Sequence, residues 1–216
     1  MDTFFERITF YDLYGYTIPG SFLILMLSSP HLSQIMGIWD QYENLAIYIF
    51  IVAVLLSFIT GILISEIAHW LFYIILYKLD LRFKHLQMDK LKLPESRAVN
   101  ALKCTGVLMD SYTISEQIQN NLPYIYGEIQ TDSKYKRIHN YASCEILYRN
   151  MAMALSISII FITYSSDLEA IQRIAIFLLF IISVFLMGRR SYRFMVKKES
   201  YAVYWFVEKY GNCEKL

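Results

Sequence analysis

Long apolar stretches dominate the pattern of hydrophobic and polar positions along the chain. A helix that crosses a membrane needs about 20 predominantly apolar residues. Four stretches meet or approach this length, at about residues 14–35, 45–66, 151–164 and 171–187. The pattern therefore predicts an all-α, polytopic helical membrane protein with four transmembrane helices and a helical cytoplasmic cap.

Proline interrupts the first stretch near both of its ends, at Pro19-Gly20 and at Pro30. Proline is tolerated in membrane helices when the backbone carbonyl that it frees finds another hydrogen-bond donor. The sequence is compatible with a tilted or kinked span and with a re-entrant hairpin. We favour the span.

The second stretch is longer than a membrane requires. Its uncharged core runs from Leu45 to Ile64, and the apolar pattern continues to Tyr77. A helix over the whole stretch would be about 50 Å long at 1.5 Å per residue, whereas the hydrocarbon core is about 30 Å thick. We therefore expect this helix to protrude from the membrane or to break near Glu66.

These elements divide the chain into four parts. At the N-terminus, residues 3–13 are predicted to form a short interfacial helix that begins at a capping box of Thr3 and Glu6, and an extension of the first span fits nearly as well. The parts are an N-terminal membrane hairpin (1–77), a cytoplasmic helical region (78–150), a second membrane hairpin with a polar turn at 165–170 (151–188), and a basic, aromatic tail (189–216).

Lysine and arginine are distributed unevenly between the predicted loops, and these residues accumulate in cytoplasmic loops. Residues 78–150 contain eleven of them and residues 189–216 contain seven, whereas residues 30–44 and 165–170 contain none. We therefore expect the N-terminus, the 78–150 region and the C-terminus in the cytoplasm. An even number of spans fits this arrangement.

The 78–150 region is too long for a structureless loop. Its periodicity predicts helices at about Glu95–Met109, Ser115–Asn121 and Asp132–Asn150, the last leading directly into the third span. Two interpretations remain open for this region: a small helical cap packed under the membrane, and a docking surface for a soluble protein partner.

Composition agrees with a membrane protein, since 56% of the residues are hydrophobic and 18% are charged, below the roughly 25% charged residues of soluble domains. The net charge of +1 gives no indication of nucleic-acid binding. The three cysteines, Cys104, Cys144 and Cys213, are odd in number and lack framework spacing. We therefore expect free, unreactive thiols rather than a disulfide scaffold.

Motifs for nucleophilic, phosphate-binding and metal-dependent chemistry are absent from the sequence: it contains no GxSxG, Walker A, HExxH or CxxC motif. We therefore expect no enzymatic activity, no catalytic residue, no metal and no cofactor. The most informative polar residues are Glu66 and His69, one helical turn apart at the end of the second apolar core. They are either a hydrated pair at the cytoplasmic interface or part of a proton-sensitive polar constriction.

Small residues recur every four positions in the second span, where they allow two helices to approach closely. This candidate seam serves either packing within the chain or self-association into an oligomer. It consists of Ala53, Ser57, Gly61 and Ser65.

Basic residues follow the fourth span, where they either anchor the topology or contact anionic lipids of the bilayer. The aromatic segment Tyr201–Tyr210 is predicted to form an amphipathic helix, packed on the cytoplasmic region or lying on the membrane. The basic residues are Arg189, Arg190, Arg193, Lys197 and Lys198.

Two short motifs carry a family resemblance. The opening Tyr11-Asp12-Leu13-Tyr14-Gly15-Tyr16-x-x-Pro19-Gly20 and the segment Tyr148-Arg149-Asn150-Met151-Ala152 resemble features of small uncharacterised bacterial four-span inner-membrane proteins, some of them linked to anti-phage defence systems. The resemblance implies a multi-pass protein of the bacterial inner membrane and no catalytic residue. The expected function is an oligomeric membrane effector or sensor in stress or phage defence, with a small channel, a transporter and an accessory scaffold as alternatives.

The proton-sensitive constriction can be tested with Glu66→Gln, which removes the ionisable acid and nearly preserves the side-chain shape. If the constriction exists, this change alters ion flux in liposomes or the binding of protein partners. Unchanged flux and unchanged interactions would contradict it and leave the hydrated pair.

Overall fold

The computed structural model describes residues 10–31, 33–35, 37, 43–79, 81, 83–107, 112–130, 135–165 and 169–212. Within these ranges the regular structure is helical throughout, without a strand. The helices are α1 (Phe10–Ser28), α2 (Ala46–Lys78), α3 (Met88–Leu91), α4 (Glu95–Cys104), α5 (Ile114–Asn120), α6 (Leu122–Ile129), α7 (Tyr135–Ser165) and α8 (Ala170–Tyr210), with 3-10 turns at Ser29–His31, Glu43–Leu45 and Lys84–Leu86.

Some predicted features lie outside the described residues. These are the Thr3–Glu6 capping box with most of the 3–13 helix, the middle of the 165–170 turn, and Cys213. Nothing in the structure bears on them.

Three of the described helices are long and apolar enough to cross a membrane. They are α2, the Lys136–Ile162 part of α7, and α8. The prediction of an all-helical membrane protein agrees with this finding. α1, a helix of 19 residues with Pro19 inside it, is not among the three, so the number of spans is taken up below.

The long helices continue through the boundaries of the predicted spans. α2 passes through Glu66 without a break, and α7 joins the predicted 132–150 helix to the third span. α8 unites the predicted fourth span, the basic segment and the aromatic tail in 41 residues. Gly188 lies within α8, where a glycine costs only about 1 kcal/mol relative to alanine, and this is too little to end a helix supported on both sides by apolar residues.

The shorter helices lie close to their predicted positions. α4 ends at Cys104 rather than Met109, and α5 starts one residue before the predicted Ser115. α6 is an additional helix that begins at Leu122 with Pro123 in its first turn, a position where proline is compatible with a helix.

The described residues form two compact units. The first, here called the bundle unit, comprises the described residues of 1–72 and 143–192. The second, here called the helical unit, comprises those of 73–142 and 193–216. α2, α7 and α8 contribute residues to both units.

In the bundle unit, α1 and α2 run antiparallel and approach closely through glycine. A Cβ atom on Gly20 would collide with the Ser57 carbonyl oxygen, and one on Gly61 would collide with the Tyr16 carbonyl oxygen. The ring of Tyr16 packs edge-on against Phe58, with 5.9 Å between ring centroids. The two glycines therefore fix the register of this helix pair.

α7 packs beside α1 in parallel and beside α2 and α8 in antiparallel orientation. Near one end, the Gly15 backbone lies against Ile146, and two turns further along α1, Leu23 is buried with Ala154 and Ile64. α8 returns along α7, where the Arg190 guanidinium lies 5.1 Å from the centroid of the Tyr148 ring. The bundle unit is thus built from four helices of alternating direction.

The helical unit has a hydrophobic core of its own. The C-terminal part of α8 supplies one side of this core, including Val203 and Phe206, both essentially inaccessible to solvent. α4, α5, α6, the start of α7 and residues 86–91 supply the rest, for example Leu102, Ile118 and Ile125. The aromatic tail is therefore a core element of this unit.

Polar contacts hold the elements of the helical unit around α8. The His85 imidazole lies 2.8 Å from the Glu199 carboxylate, and both side chains are buried. The Tyr204 hydroxyl donates to the Leu91 carbonyl, and the Tyr210 hydroxyl donates to Glu128.

Two carboxylates of the helical unit have perturbed acidity. The hydrogen bond from Tyr210 lowers the pKa of Glu128, and a capping box with Thr113 lowers the pKa of Glu116 at the start of α5. A depressed carboxyl pKa contributes stability that is present above the ordinary titration range and is lost as the pH falls. On acidification below that range the helical unit should therefore lose the stability that these two carboxylates contribute.

Gly61 can be tested against Gly188, because both lie within helices but only Gly61 meets a neighbouring backbone. Gly61→Ala should destabilise the protein by about 1–3 kcal/mol, the usual cost of overpacking. Gly188→Ala should be neutral or stabilising by up to about 1 kcal/mol. Thermal unfolding in detergent measures both, and equal effects of the two changes would contradict the close α1–α2 contact.

Candidate functional site

Pro19 in α1 creates an unusual requirement in the bundle unit. A proline has no backbone N–H, so the carbonyl four residues earlier loses its helical hydrogen bond. That carbonyl belongs to Gly15, and the Asn150 side-chain amide of α7 donates to it at 3.1 Å. Asn150 is completely buried. The freed carbonyl therefore finds its donor on another helix.

Arg149, the neighbour of Asn150, connects α7 to α2. One terminal nitrogen of its guanidinium lies 3.2 Å from Nδ1 of His69, and the other donates to the Ser65 hydroxyl at 3.4 Å. Only 7% of Arg149 is exposed. A guanidinium has donors and no acceptor, so Nδ1 of His69 acts as the acceptor in this contact.

A buried charge requires compensation, and Glu145 provides it one helical turn before Arg149. The carboxylate of Glu145 lies 3.8 Å from the Arg149 guanidinium, and 2% of Glu145 is exposed. The backbone carbonyl of Glu145 also accepts from the Ser191 hydroxyl of α8 at 3.1 Å.

All four helices of the bundle unit therefore meet in one polar layer. The layer is defined by Gly15 of α1, Ser65 and His69 of α2, Glu145, Arg149 and Asn150 of α7, and Ser191 of α8. Buried polar groups between spanning helices are costly and commonly have a functional role. The layer is the candidate functional site of this protein.

The predicted pair of Glu66 and His69 is divided by the structure. His69 belongs to the polar layer through Arg149, whereas Glu66 is exposed on the surface of α2. It is the preceding residue, Ser65, that reaches Arg149.

The residues of the candidate seam have different surroundings. Ser57 and Gly61 face α1 of the same chain, and Ser65 contacts Arg149 of α7. Ala53 is exposed. The central part of the seam is thus occupied by contacts within the chain, and Ala53 alone of the four is open to another molecule.

The basic residues of α8 from Arg189 to Lys198 are mostly exposed. In the bundle unit, Arg189 and Arg190 are exposed, and Arg190 lies over the Tyr148 ring. In the helical unit, Arg193 and Lys197 are exposed and Lys198 is half-buried. Their exposure leaves them accessible to anionic groups.

Sequence reasoning assigned Arg149 to the count of cytoplasmic loop charges and gave Glu145 and Asn150 no site role. A signal was present: Glu145 and Arg149 have the i, i+4 spacing of a helical ion pair, directly before an apolar span. The link from Asn150 to Gly15 joins residues 135 positions apart and has no counterpart in local periodicity.

Metal binding by carboxylate, imidazole and thiol clusters finds no support in the described part of the chain, where no group of three or more His, Cys, Asp and Glu residues could hold an ion. The cysteines Cys104 and Cys144 are free thiols. The chemistry available in the polar layer is hydrogen bonding and proton exchange.

The hydrogen bond from Asn150 can be tested by a rescue experiment. Asn150→Leu, which keeps the branched shape and the number of side-chain heavy atoms, leaves the Gly15 carbonyl without a donor and should cost about 1–3 kcal/mol. Pro19→Ala supplies a backbone N–H to the same carbonyl, so Asn150→Leu should cost clearly less in that background. A double-mutant cycle of unfolding free energies measures the difference, and strict additivity would contradict the assignment.

Comparison with known proteins adds no relative: the chain matches no protein-family model, no curated protein and no solved structure.

Proposed function

We propose that this chain is a four-span protein of the bacterial inner membrane, with both termini and the helical unit in the cytoplasm. In this proposal it acts as the membrane effector or sensor subunit of a stress or anti-phage defence system. The observation that carries the proposal is its two-part construction: an apolar bundle unit and a helical unit with a separate hydrophobic core.

The packing of α1 supports a fourth span. Its 19 residues measure about 28 Å at 1.5 Å per residue, close to the thickness of the hydrocarbon core. α1 runs alongside α7, whose Lys136–Ile162 part is apolar enough to cross a membrane, and Leu23 is buried against Ala154 of that helix. The contacts of α1 with α7, from Gly15 beside Ile146 to Leu23 beside Ala154, support a fourth span next to this helix.

Charge and surface composition support the orientation. The lysines and arginines of residues 78–150 and 189–216 lie on the same side in a four-span arrangement. The span portion of α8 exposes large apolar side chains, including Ile174, Leu178 and Phe185, each more than half exposed. Such a surface is stable in lipid and would be unfavourable in water.

The separate core of the helical unit supports a role in binding a soluble protein. Helices that only anchor a protein need no second core, whereas a unit with buried Phe206 and Ile125 maintains a defined surface outside the apolar bundle. Tyr112 is 52% exposed on that surface, and tyrosine is enriched in protein interfaces. A soluble protein is therefore the expected partner of this unit. Binding of that protein would be linked to the effector or sensor role of the bundle unit in the membrane.

The polar layer supports a role beyond anchoring. A bundle that served only as an anchor would need no buried ion pair, because such a pair often contributes little net stability compared with apolar contacts. Arg149, Glu145 and Asn150 are nevertheless buried together. A small ion channel or transporter is the second candidate, since polar residues between spans also mark ion pathways.

The experiment is purification of the tagged protein from its native host in mild detergent, followed by native mass measurement and identification of co-purifying proteins. We expect a stoichiometric soluble partner that is lost with Tyr112→Ala. A homogeneous oligomer without any partner would contradict the proposed binding of a soluble partner and favour an autonomous channel.

Leu178→Ala is the matched control, because Leu178 is similarly exposed, at 54%, on the bundle unit. This change should leave the co-purifying partner unchanged. Loss of the partner with Leu178→Ala and not with Tyr112→Ala would place the docking surface on the bundle unit and overturn this assignment.

A further inference from the structure

The contact between Arg149 and His69 restricts the protonation state of the imidazole. The guanidinium donates to Nδ1 of His69 at 3.2 Å, and a nitrogen that accepts a hydrogen bond carries no proton. In this arrangement the imidazole is neutral, with its proton on Nε2. His69 itself is exposed on the surface of α2 although its partner is buried.

We infer that His69 is a proton-sensitive link between α2 and α7. The link holds Arg149 of α7 against α2 while the imidazole is neutral, and it releases Arg149 when the imidazole gains a second proton. The added proton would occupy Nδ1, the atom that accepts from Arg149. The two side chains would then both be cations. The hydrogen bond between them would be lost, and their positive charges would repel each other.

The charges around Arg149 determine how far its guanidinium moves away from His69. Glu145, 3.8 Å from Arg149, remains as a partner of the guanidinium and favours withdrawal of Arg149 toward α7. The Ser65 hydroxyl, 3.4 Å from the guanidinium, is a weak acceptor. Other charged or ionisable groups on these helices near the layer include Glu66 on α2, Cys144 and Tyr148 on α7, Arg189, Arg190 and Tyr192 on α8, and Tyr14 and Tyr16 on α1.

Among these residue types, histidine is the one that ordinarily changes its charge between pH 5 and 8. The link contributes stability while His69 is neutral, and this contribution disappears as the pH falls through the titration of the imidazole. Acidification of the cytoplasm would thus loosen the α2–α7 contact. As regulation of the proposed membrane effector the inference rests on that proposal, but the link itself is a property of the isolated protein.

The first measurement is the ¹⁵N NMR spectrum of the histidine side chains in the purified wild-type protein in detergent. His69 is assigned by its absence from the spectrum of His69→Gln. We expect an unprotonated Nδ1 and a protonated Nε2 for His69 at pH 8. A proton on Nδ1 at pH 8 would overturn the inference without requiring any variant to be fully stable.

The second measurement compares thermal unfolding at pH 8 and pH 5.5. Glutamine at position 69 offers an oxygen acceptor to Arg149 and cannot titrate, so the melting temperature of His69→Gln should fall less on acidification than that of wild type, by about 2–4 °C. Identical pH dependence of the two proteins would refute the link. Neither measurement involves a partner or ion flux, so failure here is distinct from failure of the proposed function.

His85→Gln is the matched control, because His85 is paired with Glu199 in the helical unit. In the His85→Gln background, the difference in pH dependence that His69→Gln produces should be preserved. If His85→Gln abolished that difference, the proton response would belong to the helical unit, and the role assigned to His69 would be wrong.

Discussion

The Gly15 carbonyl is the constraint on which the bundle unit depends. Pro19 deprives this carbonyl of its helical donor, and an unsatisfied carbonyl costs about 1–3 kcal/mol when buried. Asn150 satisfies it from α7 and in doing so fixes the height of α1 on that helix. The glycine contacts fix the register of α1 on α2, so α1 is held to one neighbour by a hydrogen bond and to the other by close backbone contact.

Polar and apolar contacts have different structural roles within the bundle unit. One helical turn beyond Asn150, Ala154 is buried with Leu23 and Ile64, where shape complementarity holds helices together without directional bonds. Hydrogen bonds tolerate only a narrow range of distances and angles. The polar layer therefore specifies the register, whereas the apolar contacts supply most of the packing.

The sequence was most informative where one helix can be judged alone. Length and apolar composition predicted the spans of α2 and α8, because hydropathy depends on the segment itself and not on its neighbours. The continuity of α8 through Gly188 was missed, because a glycine or a change in composition is a weak signal for the end of a helix. The boundary between span and tail is a change of environment, and the backbone conformation does not change there.

The polar layer was predictable only in part, for a physical reason. His69 was singled out because a polar residue at the edge of a span is conspicuous, but its partner was sought one turn away at Glu66. The structure supplies Arg149, 80 positions along the chain. Pro19 implied that some donor must exist, without indicating which helix provides it. Long-range partners are set by helix packing, and local spacing carries no information about them.

α8 shows how one helix satisfies two environments. In its first half, Ile174 and Phe185 are exposed, which is favourable only if lipid covers them. In its second half, Val203, Phe206 and Val207 are buried by the chain itself. An aromatic helix that lay on the membrane would instead leave this face open to lipid. Because the protein core already covers the apolar face of the tail, the partner that we propose for the helical unit would be recognised by the remaining surface, where tyrosine and charged side chains provide specificity.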